Sequence, residues 1–158
     1  MFFSPKSAKQ LVTLTRIDPT NPLASYSRHA FELDGYEWPS VEHYYQAMKF
    51  GDTDYAEQIR QAPHPADATK LGKSKKHAKR KDWDRVKVTV MTRGTYIKCR
   101  TYPEIAQKLL DTGEVEIADV TQYDYFWGSG RDMRGNNAFG KMLMEIRDKL
   151  RQEINQQV

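Results

Sequence analysis

Apolar and polar positions follow a helical period between Trp38 and Phe50, and this segment predicts the best-defined element of the chain. Ser40 suits an N-cap and Pro39 keeps the chain extended before it, so a helix is expected to begin at Val41. At about 100° per residue, four apolar side chains share one flank of this helix and are expected to pack inward: Val41, Tyr44, Tyr45 and Met48.

A second stripe of the same helix is polar. Glu42, Gln46 and Lys49 lie at positions i, i+4 and i+7, so a carboxylate, an amide and an amine follow one another along the helix. Taken alone, the stripe fits a solvated face, with an acid in the first turn and a lysine near the other end, where the helix dipole favours each charge. The alternative is a functional face beside the apolar flank.

Alternation of apolar residues predicts the strands. The pattern on both sides of Asp34-Gly35 predicts a β-hairpin over Phe31–Trp38, which leads directly into the helix at Ser40. Lys9–Ile17 fits either a strand or a short helix, and Val115–Val120 fits a short strand.

Five further segments predict helices: Asp52–Ala62, Pro65–Leu71, Asp82 to about Lys98, Thr101 to Leu110, and about Asn137 to Gln152. Asp82 is the expected N-cap of the third of these helices, and Thr101–Glu104 is a capping-box pattern at the start of the fourth. No internal repeat or linker interrupts them. The expected fold class is α+β and predominantly helical, with about six helices and a small β-hairpin or sheet. We expect a single compact domain over residues 1–158.

Composition narrows the class of protein. With 39% hydrophobic and 29% charged residues, the chain is expected to be globular and not disordered. No apolar run approaches the roughly 20 residues of a membrane span, and the first residues lack a signal-peptide core, so a cytoplasmic protein with no membrane partner is expected. The net charge of +4 favours an anionic ligand such as a phosphate without requiring nucleic acid.

Metal and cofactor chemistry finds little support in the sequence. Cys99 is the single cysteine, so an internal disulfide and a thiolate cluster are excluded and a reducing compartment fits. The four histidines are scattered without ligand spacing, and zinc-protease, phosphate-loop and nucleophile-elbow motifs are absent. We therefore expect neither a metal nor a cofactor.

Three clusters outside the first helix could carry chemistry. The basic segment Lys70–Lys87 fits either a solvated surface or a contact to phosphates or nucleic acid. The loop Asp119–Gly130 sets two carboxylates among four aromatic residues, which can desolvate a carboxyl group and make it a usable acid or base. In Gly135–Gly140, Asn137 fits a helix cap or a contact to a sugar or phosphate.

Together these motifs resemble the NADAR family, which is also called YbiA-like. Trp38–Phe50 looks like the family's signature helix, and the resemblance continues in order through four further motifs: Leu71–Lys73, Arg80–Trp83, Asp124–Gly130 and Gly135–Met144. It covers nearly the whole chain from about Leu23. Members of this family are N-glycosidases that act on riboflavin-biosynthesis intermediates or on ADP-ribosylated guanine.

The chain departs from the family pattern at several positions. The family's Phe-Ser-Asn-Phe is matched by Leu23–Tyr26, so Ser25 stands where an asparagine is expected to contact the ligand. Asp119 stands where Glu is common, and Lys73 stands where Arg is common. The N-terminal Phe-Tyr-Ser element is matched by Phe2–Ser4. These departures are compatible with the reaction class of the family but do not determine which substrate is cleaved.

The resemblance implies an N-glycosidase, which must stabilise positive charge at C1 of a sugar, protonate the departing nitrogen and deliver water. We expect Glu42 to transfer a proton or to stabilise the cationic carbon, so that its removal costs about 10²–10⁴ in rate without unfolding the protein. Asp124, with Asp119, is expected to activate water or to hold ribose hydroxyls. Lys49 is expected either to bind phosphate or to attack a ring-opened sugar as a Schiff-base amine, which requires a lowered pKa.

The remaining expected site residues bind the substrate. Two aromatic residues are expected to stack on the base: Trp83 and Trp127. Four polar residues are expected to hold the phosphate: Ser4, Lys73, Arg80 and Asn137. Three more residues complete the expected binding set: Ser25, Gln46 and Gly128.

The expected substrate is a phosphorylated ribosylamine, namely a ribosylaminopyrimidine 5′-phosphate of early riboflavin synthesis, cleaved to free pyrimidine and ribose 5-phosphate as metabolite damage control. One alternative is removal of ADP-ribose from guanine in DNA or nucleotides, which the basic segment favours. Another is a non-catalytic module that binds ADP-ribose or nucleic acid. The sequence does not indicate an oligomeric state.

Overall fold

The computed structural model describes residues 10–157, which form six helices and four short strands. The helices are α1 (Val41–Met48), α2 (Asp54–Arg60), α3 (Pro65–Gly72), α4 (Trp83–Thr101), α5 (Pro103–Leu110) and α6 (Ala138–Gln156). The strands are β1 (Leu11–Leu14), β2 (Phe31–Leu33), β3 (Tyr36–Trp38) and β4 (Glu116–Asp119). The predicted α+β, predominantly helical fold is confirmed. Ser4 lies outside the described residues.

Helix α1 packs against α2, α3 and α4. The Ser40 hydroxyl accepts the His43 N–H at 3.1 Å, which confirms the predicted N-cap. The predicted apolar flank is buried at Val41, Tyr44 and Tyr45. The polar stripe is also buried, because Glu42 is fully buried and Gln46 is 3% exposed. Interpretation of this stripe as a solvated face is therefore wrong.

Strands β2 and β3 form the predicted hairpin, with Phe31 opposite Trp38. Asp34 and Gly35 both adopt left-handed backbone angles, φ +55° and +83°, which is the geometry that Asp-Gly favours in a two-residue hairpin turn. The hairpin carries the Trp38 ring onto Tyr44 of α1, with the ring centroids 5.2 Å apart. It thus fixes the start of α1 against the core.

Strands β1 and β4 pair in parallel, with Leu11 opposite Glu116 and Leu14 opposite Asp119. Of the two structures that Lys9–Ile17 allowed, the strand is therefore the one that forms. Helix α6 packs against β4. The pairing brings the segment after β1 beside the loop that follows β4.

Helix ends account for most differences from the sequence prediction. Thr101 does not begin a capping box: it ends α4, where its hydroxyl donates to the Ile97 carbonyl oxygen, and Tyr102 is the N-cap of α5. Asp82 precedes α4 as predicted but makes no side-chain cap, because its carboxylate binds Arg80. Within residues 10–157, no helix is long and apolar enough to cross a membrane.

Lys98 of α4 holds the loop Pro22–Ser27 against the helix. Its side chain is fully buried, and Nζ donates to the carbonyl oxygens of Pro22 and Ala24 at 2.7 and 3.0 Å and to Ser27 Oγ at 3.0 Å. Burial lowers the pKa of Lys98 to about 8. The clamp fixes the loop that carries Ser25.

We predict that Lys98→Met lowers the free energy of unfolding by at least about 1–3 kcal/mol, the cost of leaving a buried acceptor unpaired. Methionine fills similar volume but donates to none of the three oxygens. Urea denaturation at pH 7 measures the change. Lys108→Met on the exposed face of α5 is the matched control and should stay within about 0.5 kcal/mol of the unmodified protein. Equal loss in both variants would contradict a clamp.

Candidate active site

The Glu42 carboxylate is bound by donors from four segments of the chain. Its Oε1 accepts from Gln46 Nε2 and Thr69 Oγ1, each at 2.8 Å. Its Oε2 accepts from Arg16 Nη1 at 2.7 Å and from Ser25 Oγ at 2.9 Å. Each carboxylate oxygen therefore accepts two hydrogen bonds, and the carboxylate forms a buried ion pair with Arg16.

This arrangement keeps Glu42 ionised. Burial by itself would raise the pKa of Glu42, but the Arg16 guanidinium and the bonds from Gln46, Thr69 and Ser25 outweigh it and hold the pKa below its ordinary value. Of the two roles expected for Glu42, a fixed negative charge fits this geometry and proton donation does not.

Arg16 is the main residue that sequence reasoning missed. It follows β1, is 7% exposed, and places Nε 3.5 Å from Asp124 Oδ2 while Nη1 binds Glu42. Burial would lower the pKa of Arg16, but the Glu42 and Asp124 carboxylates raise it above its ordinary value. Arg16 therefore joins the buried carboxylate to the loop after β4.

A cavity of about 890 Å³ lies against this cluster, larger than the cleft of about 480 Å³ beside α2. Its walls come from the segment after β1, from α1 and α3, and from the loop after β4. Much of the lining is polar or charged and includes these six residues: Arg16, Tyr26, Gln46, Lys49, Thr69 and Asp124. The volume lies within the range of small-molecule sites.

Lys49 is half-buried at the C-terminal end of α1, where it lines the cavity. Its Nζ lies 3.4 Å from the Gly72 carbonyl oxygen and 5.7 Å from the centroid of the Tyr45 ring. Desolvation lowers the pKa of Lys49 to about 8; the charge of Glu42 partly opposes this effect, and those of Lys79 and other cations reinforce it. The lowered pKa is the property that a Schiff-base amine requires.

The two predicted aspartates occupy different environments. Asp124 lines the cavity, and its Oδ1 accepts from the backbone N–H groups of Phe126 and Trp127. Asp119 is fully buried, and its Oδ1 accepts from the backbone and the hydroxyl of Thr121. Burial raises the pKa of Asp119 despite these bonds. Of the two, only Asp124 belongs to the described cavity lining.

Both predicted stacking residues lie behind Tyr45 instead of lining the cavity. Trp83 and Trp127 are 3% and 4% exposed, and their rings contact Tyr45 at centroid distances of 5.0 and 5.5 Å. Trp127 Nε1 also donates to the Tyr45 hydroxyl at 3.2 Å. The aromatic residues that do line the cavity include Tyr45 and two exposed residues of the loop after β4, Tyr123 and Tyr125.

Of the predicted phosphate contacts, Lys73 is exposed and lines the cavity. Arg80 pairs with Asp82 at 2.6 Å outside the lining, although its backbone N–H donates to the Lys49 carbonyl oxygen. Asn137 adopts φ +53°. Its Nδ2 donates to the Ile117 carbonyl oxygen, and its Oδ1 accepts from the Asp119 N–H. Asn137 thereby joins α6 to β4, away from the cavity.

Gly128 is required by backbone packing. A Cβ atom there would lie 2.7 Å from the Asp124 carbonyl oxygen and 3.2 Å from that of Asp119, and Gly128 is buried. The close neighbour is therefore the chain itself and not an incoming ligand. Glycine at this position lets the loop after β4 fold back on itself.

Comparisons with known proteins identify what this chain is similar to. A family model described as the NADAR domain matches residues 2–151. N-glycosidase YbiA of Escherichia coli is 34% identical over 133 residues, covering 84% of this chain and 83% of that protein. N-glycosidase Npun_R5314 of Nostoc punctiforme is 36% identical over 136 residues, covering 84% and 87%.

Two further similarities concern pathway and fold. The chloroplastic riboflavin biosynthesis protein PYRR of Zea mays is 32% identical over 142 residues, which cover 80% of this chain and 23% of that protein. The NMR structure of the Escherichia coli protein YbiA matches with a TM-score of 0.83 at 32% identity, covering 92% of this chain and 87% of that one.

We predict that Glu42→Gln lowers the free energy of unfolding by up to about 3–5 kcal/mol, because it removes the closer of the two carboxylates that pair with the buried Arg16 and leaves only Asp124, at 3.5 Å. The expectation that Glu42 can be removed without unfolding the protein stays a prediction. Thermal and urea unfolding measure the loss. Asp34→Asn breaks the exposed Asp34–Arg93 pair as a control and should cost less than about 1 kcal/mol, since asparagine also tolerates the left-handed turn. Similar losses in both variants would refute the buried-pair argument.

Proposed function

The chain belongs to the NADAR family and is an N-glycosidase, a hydrolase acting on N-glycosyl compounds, and we propose that its substrate is a ribosylaminopyrimidine 5′-phosphate of early riboflavin synthesis. The products are then the free pyrimidine and ribose 5-phosphate. The riboflavin biosynthesis name of the Zea mays relative supports this choice of pathway. Removal of a reactive intermediate gives the reaction a protective role in metabolism.

The observation that carries the proposed chemistry is the lowered pKa of Lys49 at the cavity wall. An amine with a pKa of about 8 is neutral in about a tenth of molecules at pH 7, whereas an ordinary lysine is almost wholly protonated. Desolvation and neighbouring cations are the two means by which proteins activate a lysine for attack on a carbonyl or iminium carbon. Both act on Lys49 at the cavity wall.

In the proposed reaction, the lone pair of the glycosidic nitrogen expels the ring oxygen, which takes up a proton, and C1 becomes an iminium carbon. The neutral amine of Lys49 adds to C1, a proton passes from Nζ to the glycosidic nitrogen, and the C1–N bond to the pyrimidine breaks. Water then adds to the C1=Nζ Schiff base and releases Lys49 and ribose 5-phosphate. Asp124 carries the protons in these transfers, and Lys73 binds the phosphate.

Glu42 contributes in this proposal as a fixed charge. Positive charge develops at C1 before the amine adds, and an ionised carboxylate held in a water-poor site stabilises such charge without reorganising. The four hydrogen bonds keep that carboxylate in place throughout the reaction. Arg16 pairs with both the Glu42 carboxylate and Asp124, the proposed proton carrier, and so fixes their relative positions.

An ADP-ribosylated guanine is the second candidate substrate, and the mouth of the cavity favours it. Tyr123 and Tyr125 are 83% and 49% exposed there, and both line the same cavity as Lys73. Exposed aromatic rings and a lysine in one cavity suit a second base and a pyrophosphate. The same features suit a non-catalytic binder of ADP-ribose or nucleic acid, which would bind without releasing base.

We predict that kcat/KM, which reports the pKa values of the free enzyme, rises with pH through about 8 and then levels off, because deprotonation of Lys49 generates the attacking amine. Borohydride added during turnover should reduce the Schiff base and attach the sugar to Lys49, as read by peptide mass spectrometry. Lys73→Gln, the control, should raise KM yet keep the covalent label. A rate that falls above pH 8, with no label, would identify Lys49 as a protonated phosphate anchor instead.

We predict that incubation with a ribosylaminopyrimidine 5′-phosphate releases free pyrimidine, measured by mass spectrometry, faster than incubation with ADP-ribosylated guanosine releases guanosine. The proposed substrate needs one phosphate contact, which Lys73 supplies at the cavity wall. Faster cleavage of the guanosine compound would assign the second candidate. Binding of either compound without release of base would favour a binding module.

A further inference from the structure

A chain of hydrogen bonds leads from the cavity wall to the buried carboxylate. Tyr26 Oη and Thr69 Oγ1 lie 2.7 Å apart, and both residues line the cavity. Thr69 Oγ1 in turn lies 2.8 Å from Glu42 Oε1 and 3.2 Å from the Pro65 carbonyl oxygen. The direction of each bond decides what the wall can offer to a ligand.

Counting protons fixes those directions. A threonine hydroxyl has one proton, and both of the other neighbours of Thr69 Oγ1, an ionised carboxylate and a backbone carbonyl, can only accept. Thr69 therefore gives its proton to one of these two oxygens. The proton between Tyr26 and Thr69 must then come from Tyr26, so Tyr26 donates inward to Thr69.

Tyr26 consequently presents only oxygen lone pairs to the cavity. Its pKa is raised, chiefly by burial, so the phenol stays neutral and keeps the proton that it donates to Thr69. Its backbone is also fixed, because the Tyr26 N–H donates to the Arg16 carbonyl oxygen at 3.1 Å. A phosphate oxygen or a carbonyl oxygen has no proton for such an acceptor, whereas a sugar hydroxyl has one.

We propose that Tyr26 is a specificity-determining residue that accepts a hydrogen bond from one hydroxyl of the substrate's sugar. The inference rests on the proposed function only in placing a sugar in this cavity. Positions along the wall agree with it, because Lys49 Nζ contacts Gly72, and Gly72 packs directly against Gln46, which binds Glu42. Lys49, Thr69 and Tyr26 line one cavity, so a sugar whose C1 lies at Lys49 occupies the same space as the Tyr26 hydroxyl.

The test compares binding of three probes by calorimetry: ribose 5-phosphate and its 2-deoxy and 3-deoxy analogues. The unmodified protein should bind one deoxy analogue about threefold to tenfold more weakly than ribose 5-phosphate, the range expected for one lost hydrogen bond. Tyr26→Phe removes only the hydroxyl group. It should weaken the binding of ribose 5-phosphate by the same factor, so that ribose 5-phosphate and the deoxy analogue bind with equal affinity.

Tyr36→Phe on the β2–β3 hairpin is the matched control, since it removes a tyrosine hydroxyl on β3, outside the cavity lining, and should keep the full discrimination. Unchanged discrimination in Tyr26→Phe would overturn the inference, and so would failure of ribose 5-phosphate to bind the unmodified, folded protein. Release of base from the candidate substrates is measured separately. Discrimination that depends on Tyr26 without any release of base would leave the sugar contact in place and reject the proposed reaction.

Discussion

The ionised carboxylate of Glu42 is the group on which the site depends. Removing a charge from water costs several kcal/mol, and a protein tolerates it only where the charge is paired and its lone pairs are used. Here Arg16, Ser25, Gln46 and Thr69 supply the donors, and they come from four different parts of the chain. The same bonds that make the burial tolerable also fix the wall of the cavity.

A second buried charge of opposite sign stabilises the same region. The Lys98 ammonium binds the loop Pro22–Ser27 from one side, and Glu42 binds Ser25 of that loop from the other. Neither charge is exposed to solvent. Substitutions at the two charged residues act on one shared loop, so their effects on stability are not expected to add.

Local patterns predicted the fold better than the site. Helix α1 and the β2–β3 hairpin follow from periodicity, an N-cap and Asp-Gly turn chemistry, all of which are short-range properties. Arg16 lies 26 residues from Glu42 in the chain, and no periodic pattern connects them. The aromatic loop was predicted wrongly for a related reason: Trp127 is buried and Tyr123 is exposed, on either side of a turn in which Asp124 accepts two backbone N–H groups, and composition does not show which ring faces inward.

The parallel pairing of β1 with β4 joins segments roughly a hundred residues apart. Closing so long a loop carries a large entropy cost, and contacts of this separation slow folding and form after local ones. Arg16 follows β1 directly, so it meets Asp124 only when this pairing is complete. During synthesis, helices α1 to α4 emerge before β4 does. The contact between Arg16 and Asp124 therefore forms later than the local structure of the segments between them, because it waits for the strand that is synthesised last of the pair.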